Sequence, residues 1–140
     1  MQKYFELIAA YLWKESVKNL NSKLSDVENL RFTANDYYYI SVIHCLVSPT
    51  PSEVALYLNI TKPAITVFIK RMIKLDLLEK KISKTDKRIY HILLTSKARS
   101  IVEYDKEVLN TLVQNLEKSM SLEEVISVNK ALEIVTNRLK

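Results

Sequence analysis

The stretch Thr50–Thr95, TPSEVALYLNITKPAITVFIKRMIKLDLLEKKISKTDKRIYHILLT, decides how the rest of the chain reads. It opens on Thr50-Pro51-Ser52-Glu53, which supplies an N-cap hydroxyl, a proline at the first helical position and a carboxylate placed to close a capping box. The helix begun there carries Val54, Ala55 and Leu58 inward, and it is short, because Asn59-Ile60-Thr61 starts a second cap after about two turns. Ile60 and Ile65 flank that cap as a hydrophobic staple. Two helices joined so tightly make a helix-turn-helix.

In the second helix Ile65, Phe68, Ile69 and Met72 share one face at three- and four-residue spacing. Lys62, Pro63, Thr66, Val67, Lys70, Arg71 and Lys74 lie elsewhere, and no carboxylate occurs between Glu53 and Asp76. A solvated helix ordinarily mixes charge signs, so an outer face with cations alone points to an anionic partner. Beyond it, Leu78–Ile82 and Arg88–Leu94 have strand composition, with Tyr90, Ile92 and Leu94 alternating onto one face. Ser83-Lys84-Thr85-Asp86-Lys87 between them is a lysine-rich turn, and the whole reads as a β-hairpin wing.

Ile60-Thr61-Lys62-Pro63-Ala64-Ile65-Thr66, Met72 to Lys80, Asp86-Lys87-Arg88 and Leu94-Thr95 together resemble the winged helix of the multiple-antibiotic-resistance regulator (MarR) family. The order and spacing match that family's recognition helix, helix end, D-x-R wing tip and the start of the following helix. Asp76 and Ala98 stand where the family usually has glycine, and this chain contains none. Asp tolerates the left-handed conformation better than most residues, at a cost of about 1 kcal/mol. Asp at the first of these positions is also found in the SarA-like regulators of the superfamily, which the chain resembles in its abundant lysine.

With 140 residues and 48% apolar composition the chain is long enough for one domain with a substantial core. No apolar run approaches a membrane span, and the N-terminal MQKYFELIAAYLWKE lacks a signal peptide's clean apolar stretch. One cysteine allows no internal disulfide, which fits a cytoplasmic protein. The net charge of +5 is unevenly spread: Val54–Arg99 holds eleven Lys/Arg against three acids, while both flanks carry more acids than bases. The excess positive charge therefore sits on the winged helix, as phosphate binding requires.

The flanks read as helices. Gln2 to about Leu24 carries Leu7, Ala10, Trp13, Val17, Leu20 and Leu24 at helical spacing with Phe5, Ile8 and Leu12 adjoining, an apolar surface wider than one core contact needs. Ser25 to Arg31 reads as a polar link. Thr33 and Asp36 cap a helix running to about Val47, where Ser48-Pro49 stops it. Thr95 opens a helix to about Lys118, and Ser121-Leu122-Glu123-Glu124 opens a last one. The expectation is a mainly α fold of about six helices with a small β-hairpin wing. It forms a single domain over residues 1–140, with 33–95 as the winged helix-turn-helix and 1–32 and 96–140 as dimerisation helices. A two-fold homodimer would set two recognition helices about 34 Å apart on a palindromic operator in double-stranded DNA.

The expected DNA-binding set is Thr61, Lys62, Pro63, Thr66, Lys70 and Arg71 on the recognition helix, with Lys84, Asp86, Lys87 and Arg88 on the wing. Thr66 and Val67 suit base edges and thymine methyls, while Lys62, Lys70 and Arg71 suit phosphates. The resemblance implies that Arg88 enters the minor groove while Asp86 orients its guanidinium. The alternative for both sets is a solvated charged surface. Cys45 reads as a buried inert thiol rather than a peroxide sensor. His44, Cys45 and His91 lack metal-ligand spacing, and no metal or cofactor is expected. Tyr4, Tyr11, Trp13, Tyr37, Tyr38 and Tyr39 either line a ligand crevice or pack as core and interface.

These features imply a homodimeric transcriptional regulator of repressor type, controlled by a small ligand or a modification. The competing reading is a winged helix that binds protein rather than DNA. An enzyme is not expected: no glycine serves a phosphate loop, and no nucleophile, base and orienting acid form a recognisable pattern.

Overall fold

The computed structural model describes residues 1–139. Among them the helices are α1 (Gln2–Lys23), α2 (Asp26–Asn29), α3 (Ala34–Leu46), α4 (Pro51–Tyr57), α5 (Lys62–Lys74), α6 (Ser96–Lys118) and α7 (Leu122–Asn137), with strands β1 (Leu78–Ile82) and β2 (Tyr90–Leu94) before α6. The chain separates into two compact units, Met1–Asp105 and Lys106–Lys140.

In the first unit the caps act as the residue types require. Thr33 accepts from the Asp36 N–H while Asp36 accepts from the Thr33 N–H, and Thr50 and Glu53 repeat the exchange at α4. The expected polar link at Ser25–Arg31 instead contains α2, closed by a Ser25–Glu28 capping box. Four residues are too few for an apolar period to show, so only the Ser-x-x-Glu signature could have announced it.

Both tight helix ends close without glycine. After α5 the Leu77 N–H donates to the Met72 carbonyl (2.9 Å) and the Asp76 N–H to that of Ile73 (3.0 Å), with Asp76 left-handed at φ 55°. After α4 the Ile60 N–H reaches Ala55 (3.0 Å) and the Asn59 N–H reaches Leu56 (3.2 Å), with Asn59 at φ 52°. Each is a Schellman arrangement that satisfies otherwise orphaned carbonyls and turns the chain sharply.

The core gathers around α5. Ile65, Phe68, Ile69 and Met72 are buried, packed with Ile40 and Ile43 of α3, Val54 of α4, Leu78 and Ile92 of the hairpin, and Ile101 of α6. Each such side chain contributes about 1.5–3 kcal/mol by leaving water, and together they fix the α5 face that stays outside. β1 and β2 pair antiparallel, Leu78 opposite Leu94 and Ile82 opposite Tyr90. The second strand begins at Tyr90 rather than Arg88, because the Asp86 carboxylate accepts from the Arg88 N–H (2.8 Å) and holds Arg88 in the turn.

In the first unit α1 leaves Tyr4, Phe5, Leu7, Ile8, Tyr11 and Trp13 exposed. In the second unit Leu109, Val113, Leu116, Leu122, Ile126, Leu132 and Val135 are exposed, and α7 has no buried residue. Solvated helices of that composition signal a surface made for covering. Among the described residues no helix is long and apolar enough to cross a membrane.

Candidate nucleic-acid interface

The outward surface of α5 follows from its cap. Thr61 accepts from the Ala64 N–H (3.3 Å), Pro63 sits in the first turn, and no acid follows. Thr61, Lys62, Pro63, Thr66, Val67 and Lys70 are all exposed. The Thr66 hydroxyl donates to the Lys62 carbonyl (2.9 Å), so its proton is committed within the helix. Its free lone pair and methyl remain, an acceptor and an apolar contact suited to a base edge.

The wing approaches the same end of α5. A cleft of about 400 Å³ is lined by Thr50, Pro51 and Ser52 at the start of α4, by Lys62, Ile65 and Thr66, and by Arg88, Ile89 and Tyr90. Lys62, Thr66 and Arg88 therefore converge, whereas Lys84 and Lys87 are exposed on the turn outside the cleft. Among the described residues Lys62, Lys70, Lys84, Lys87 and Arg88 take part in no ion pair, since the two present are Arg71–Asp36 and Lys97–Glu28. Unpaired cations around a cleft keep their charge for an anion. The Asp86 carboxylate is bound to the Arg88 backbone N–H, so it shapes the turn, and orienting the guanidinium is not its observed contact. Sequence reasoning passed over Ser52 and Tyr90. Their place in the cleft depends on the hairpin folding back, and no local pattern signals that.

Two contacts hold the wing there, and a third braces it internally. The Ile92 N–H donates to the Pro49 carbonyl (2.8 Å), and His91 Nδ1 lies 2.8 Å from the Ser48 carbonyl, to which it must donate. Lys80 Nζ stands 4.5 Å from the Tyr90 ring centroid, a cation–π contact across the strands.

Arg71 differs from the other cations of α5: its side chain is 39% exposed but is ion-paired. Its Nη1 and Nη2 donate to the two oxygens of Asp36 at 2.6 and 2.5 Å, and Nη1 also donates to the Arg31 carbonyl at 2.9 Å. Burial pushes the Asp36 carboxyl up, but the Arg71 and Thr33 hydrogen bonds outweigh it and hold the group below its usual range. The guanidinium is in turn held charged by Asp36. These bonds engage three of the five guanidinium donors, and they hold the group's plane to the Asp36 carboxylate.

The aromatic set divides. Trp13 and Tyr37 line a cavity of about 300 Å³ with Ser16, Val17, Leu20, Asn21, Asn29, Phe32, Thr33 and Ala34, between α1 and the start of α3. Tyr37 donates to the Asp105 carboxylate, and burial followed by that bond raises its phenol well above the ordinary range. Tyr39 meets Phe68 edge-on at 5.2 Å, so it packs against the core, while Tyr4, Tyr11 and Tyr38 are exposed. Cys45 is exposed, not buried. It lies two residues, hence about 200°, around α3 from buried Ile43, which turns it away from the core. His91 is tied to Ser48, and among the described residues no three His, Cys, Asp or Glu side chains gather as metal ligands.

Residues 32–90 match the model of the MarR family. Among solved structures, a mutant of S. aureus MepR bound to an oligodeoxyribonucleotide is 19% identical, covering 100% of this chain and 99% of that one at a TM-score of 0.60. Streptococcus pneumoniae FabT in complex with DNA is 24% identical over 99% and 96% of the two chains, TM-score 0.64. Wild-type MarR from E. coli in its apo form is 23% identical over 93% and 94%, TM-score 0.54. No curated protein matches the chain in sequence. At these identities the structural likeness is one of fold.

Proposed function

We propose, on the premise that residues 32–90 are a MarR-family winged helix, that this protein is a homodimeric, sequence-specific DNA-binding regulator of transcription, acting as a repressor in the cytoplasm. The observation that carries the reading is the convergence of Lys62, Thr66 and Arg88 on one open cleft, on a face of α5 without a single acid. Lys62, Lys70, Lys84, Lys87 and Arg88 supply phosphate or minor-groove contacts, and Thr66 with Val67 supplies base contacts. Thr61 and Pro63 set the start of the reading helix, and Asp86 sets the turn that presents Arg88. Two proteins of the same fold, MepR and FabT, were solved with DNA.

A second copy of the chain covers the exposed apolar residues of α1 and those of the second unit, placing two α5 helices on a pseudo-palindrome. Release follows when a ligand alters their spacing. The cavity beside Trp13 and Tyr37 has no charged side chain in its lining, which suits an uncharged apolar ligand. A protein-binding winged helix would present a neutral or mixed face on α5, contrary to the one observed.

The test is a fluorescence-anisotropy titration against duplexes tiled from upstream of the protein's own gene, with a scrambled control, at two salt concentrations. Salt-sensitive binding to one tile, orders of magnitude tighter than to the control, is the expected result. Absence of binding at low salt would overturn the reading in favour of a protein partner.

A further inference from the structure

The Arg71–Asp36 pair ties α5 to the first turn of α3. Asp36 is 1% exposed, and its carboxylate already closes the capping box of α3 through the Thr33 N–H at 2.7 Å. The same two oxygens receive both arms of the Arg71 guanidinium, and one arm continues to the Arg31 carbonyl. One side chain of α5 thus grips the first turn of α3 and the segment before it. Apolar contacts at Ile65, Phe68, Ile69 and Met72 hold α5 against the core and select its outer face, though the hydrophobic term that drives them is itself non-directional. A two-armed fork on a carboxylate fixes both a distance and a plane.

We propose that Arg71 and Asp36 are positioning residues for DNA reading, a strut that sets the tilt of α5 and thereby the specificity of the interface without touching DNA. The inference rests on the regulator reading above. From Arg71 back to Lys62 is nine residues, roughly 13 Å of helix at about 1.5 Å per residue. A tilt of about 10° pivoting near Arg71 moves Lys62 by about 2 Å and Thr66, five residues away, by about 1.3 Å, enough to spoil a short direct hydrogen bond. Phosphate contacts from flexible lysines survive such a shift, whereas base contacts from short side chains such as Thr66 do not. Loss of the strut therefore removes discrimination and leaves electrostatic attachment.

The experiment compares full-length wild type with Arg71→Lys, Arg71→Ala and Asp36→Asn. Each is titrated against the duplex that wild type selects from a randomised pool and against a scrambled duplex, over a salt series, with circular dichroism checking the fold. Arg71→Lys keeps the cation and loses the fork, so a phosphate contact would survive this change and a strut would not. The expected result is a fall of about ten- to a hundredfold in the ratio of specific to scrambled affinity for Arg71→Lys and Asp36→Asn, the range that one misplaced base contact costs. The salt slope on the scrambled duplex stays that of wild type. The proposal is overturned if Arg71→Lys matches wild type while Arg71→Ala lowers that slope by about one, the mark of a lost phosphate contact. Tighter binding of Asp36→Asn to both duplexes, from a freed guanidinium, would overturn it equally. Should Arg71→Ala unfold, the Arg71→Lys chain carries the comparison. Failure of wild type to select any duplex is a separate result and overturns the regulator reading itself.

Discussion

Replacing Val47 with glycine should raise the stability of this protein, the opposite of what glycine does at an ordinary exposed position. Val47 follows the last residue of α3 with φ 52° and ψ 86°, and Ser48 after it has φ 64°. A β-branched residue in the left-handed region is a steric outlier, with strain of about 2 kcal/mol within the usual range for such positions. Glycine removes that strain but widens the unfolded ensemble, a loss of about 0.7 kcal/mol. Val47 is 80% exposed, so the forfeited apolar burial is about 0.3 kcal/mol. The balance is a gain of about 1 kcal/mol, or about 3 °C in Tm for a chain of this size. Strain of this kind persists only where neighbours over-determine it, and here Ser48 and Pro49 offer the carbonyls that hold His91 and Ile92 of the wing. Thermal melts by circular dichroism, with urea midpoints alongside, would measure the change. Asn59→Gly is the control: Asn59 shares the sign of φ, but asparagine tolerates it, so its variant should sit within about 0.5 kcal/mol of wild type. A Val47→Gly protein melting below wild type, or an Asn59→Gly protein gaining as much, would refute the strain argument.

Thr61→Ala removes the cap of α5 and should lower Tm by about 3 °C, a loss of about 1 kcal/mol, while Thr61→Ser stays near wild type; equal melts for both would show the cap idle. Lys70→Ala should weaken binding to specific and scrambled duplexes alike and reduce the salt slope by about one; an unchanged slope would place Lys70 away from phosphate. The Lys97 ammonium, and after it the Ser25 N–H, hold the Glu28 carboxyl at about 2 against an ordinary 4.5. A depressed carboxyl stabilises the fold above its unfolded pKa, so this contribution is present above pH 4.5 and is lost as pH falls towards about 2. Lys97→Met should flatten the acid limb of the urea midpoint, and an unaltered limb would count against the pair.

Local chemistry was legible at most sites where cause and effect lie within a few residues, the Ser25–Glu28 box of α2 being the exception. The boxes at Thr33, Thr50 and Ser121, the cap at Thr61 and the buried face of α5 could be read because they draw only on neighbouring residues, whereas the left-handed Asp76 was implied by the resemblance to a family with glycine there. Convergence across the chain was not. The helical wheel sets Arg71 beside Lys70 among the outward cations, and the carboxylate that claims it lies 35 residues earlier. Ser52 enters the cleft only because β2 is tied back to Ser48 and Pro49. Cys45 is a different case: the period placing Ile43 inside already places Cys45 outside, and thiol burial statistics masked it. Val47 in the left-handed region contradicts its own propensity, so only the fold around it reveals the conformation.

Trp13, in the cavity beside α1, is the sole tryptophan of the chain, is 64% exposed, and shares the cavity wall with Phe32 and Tyr37. Its indole emission is therefore a single-site signal, uncontaminated by other emitters of its kind. An aromatic guest absorbing near that emission would quench it by energy transfer, and dehydration of the indole would shift it to the blue. The protein thus carries its own optical gauge for whatever occupies that space.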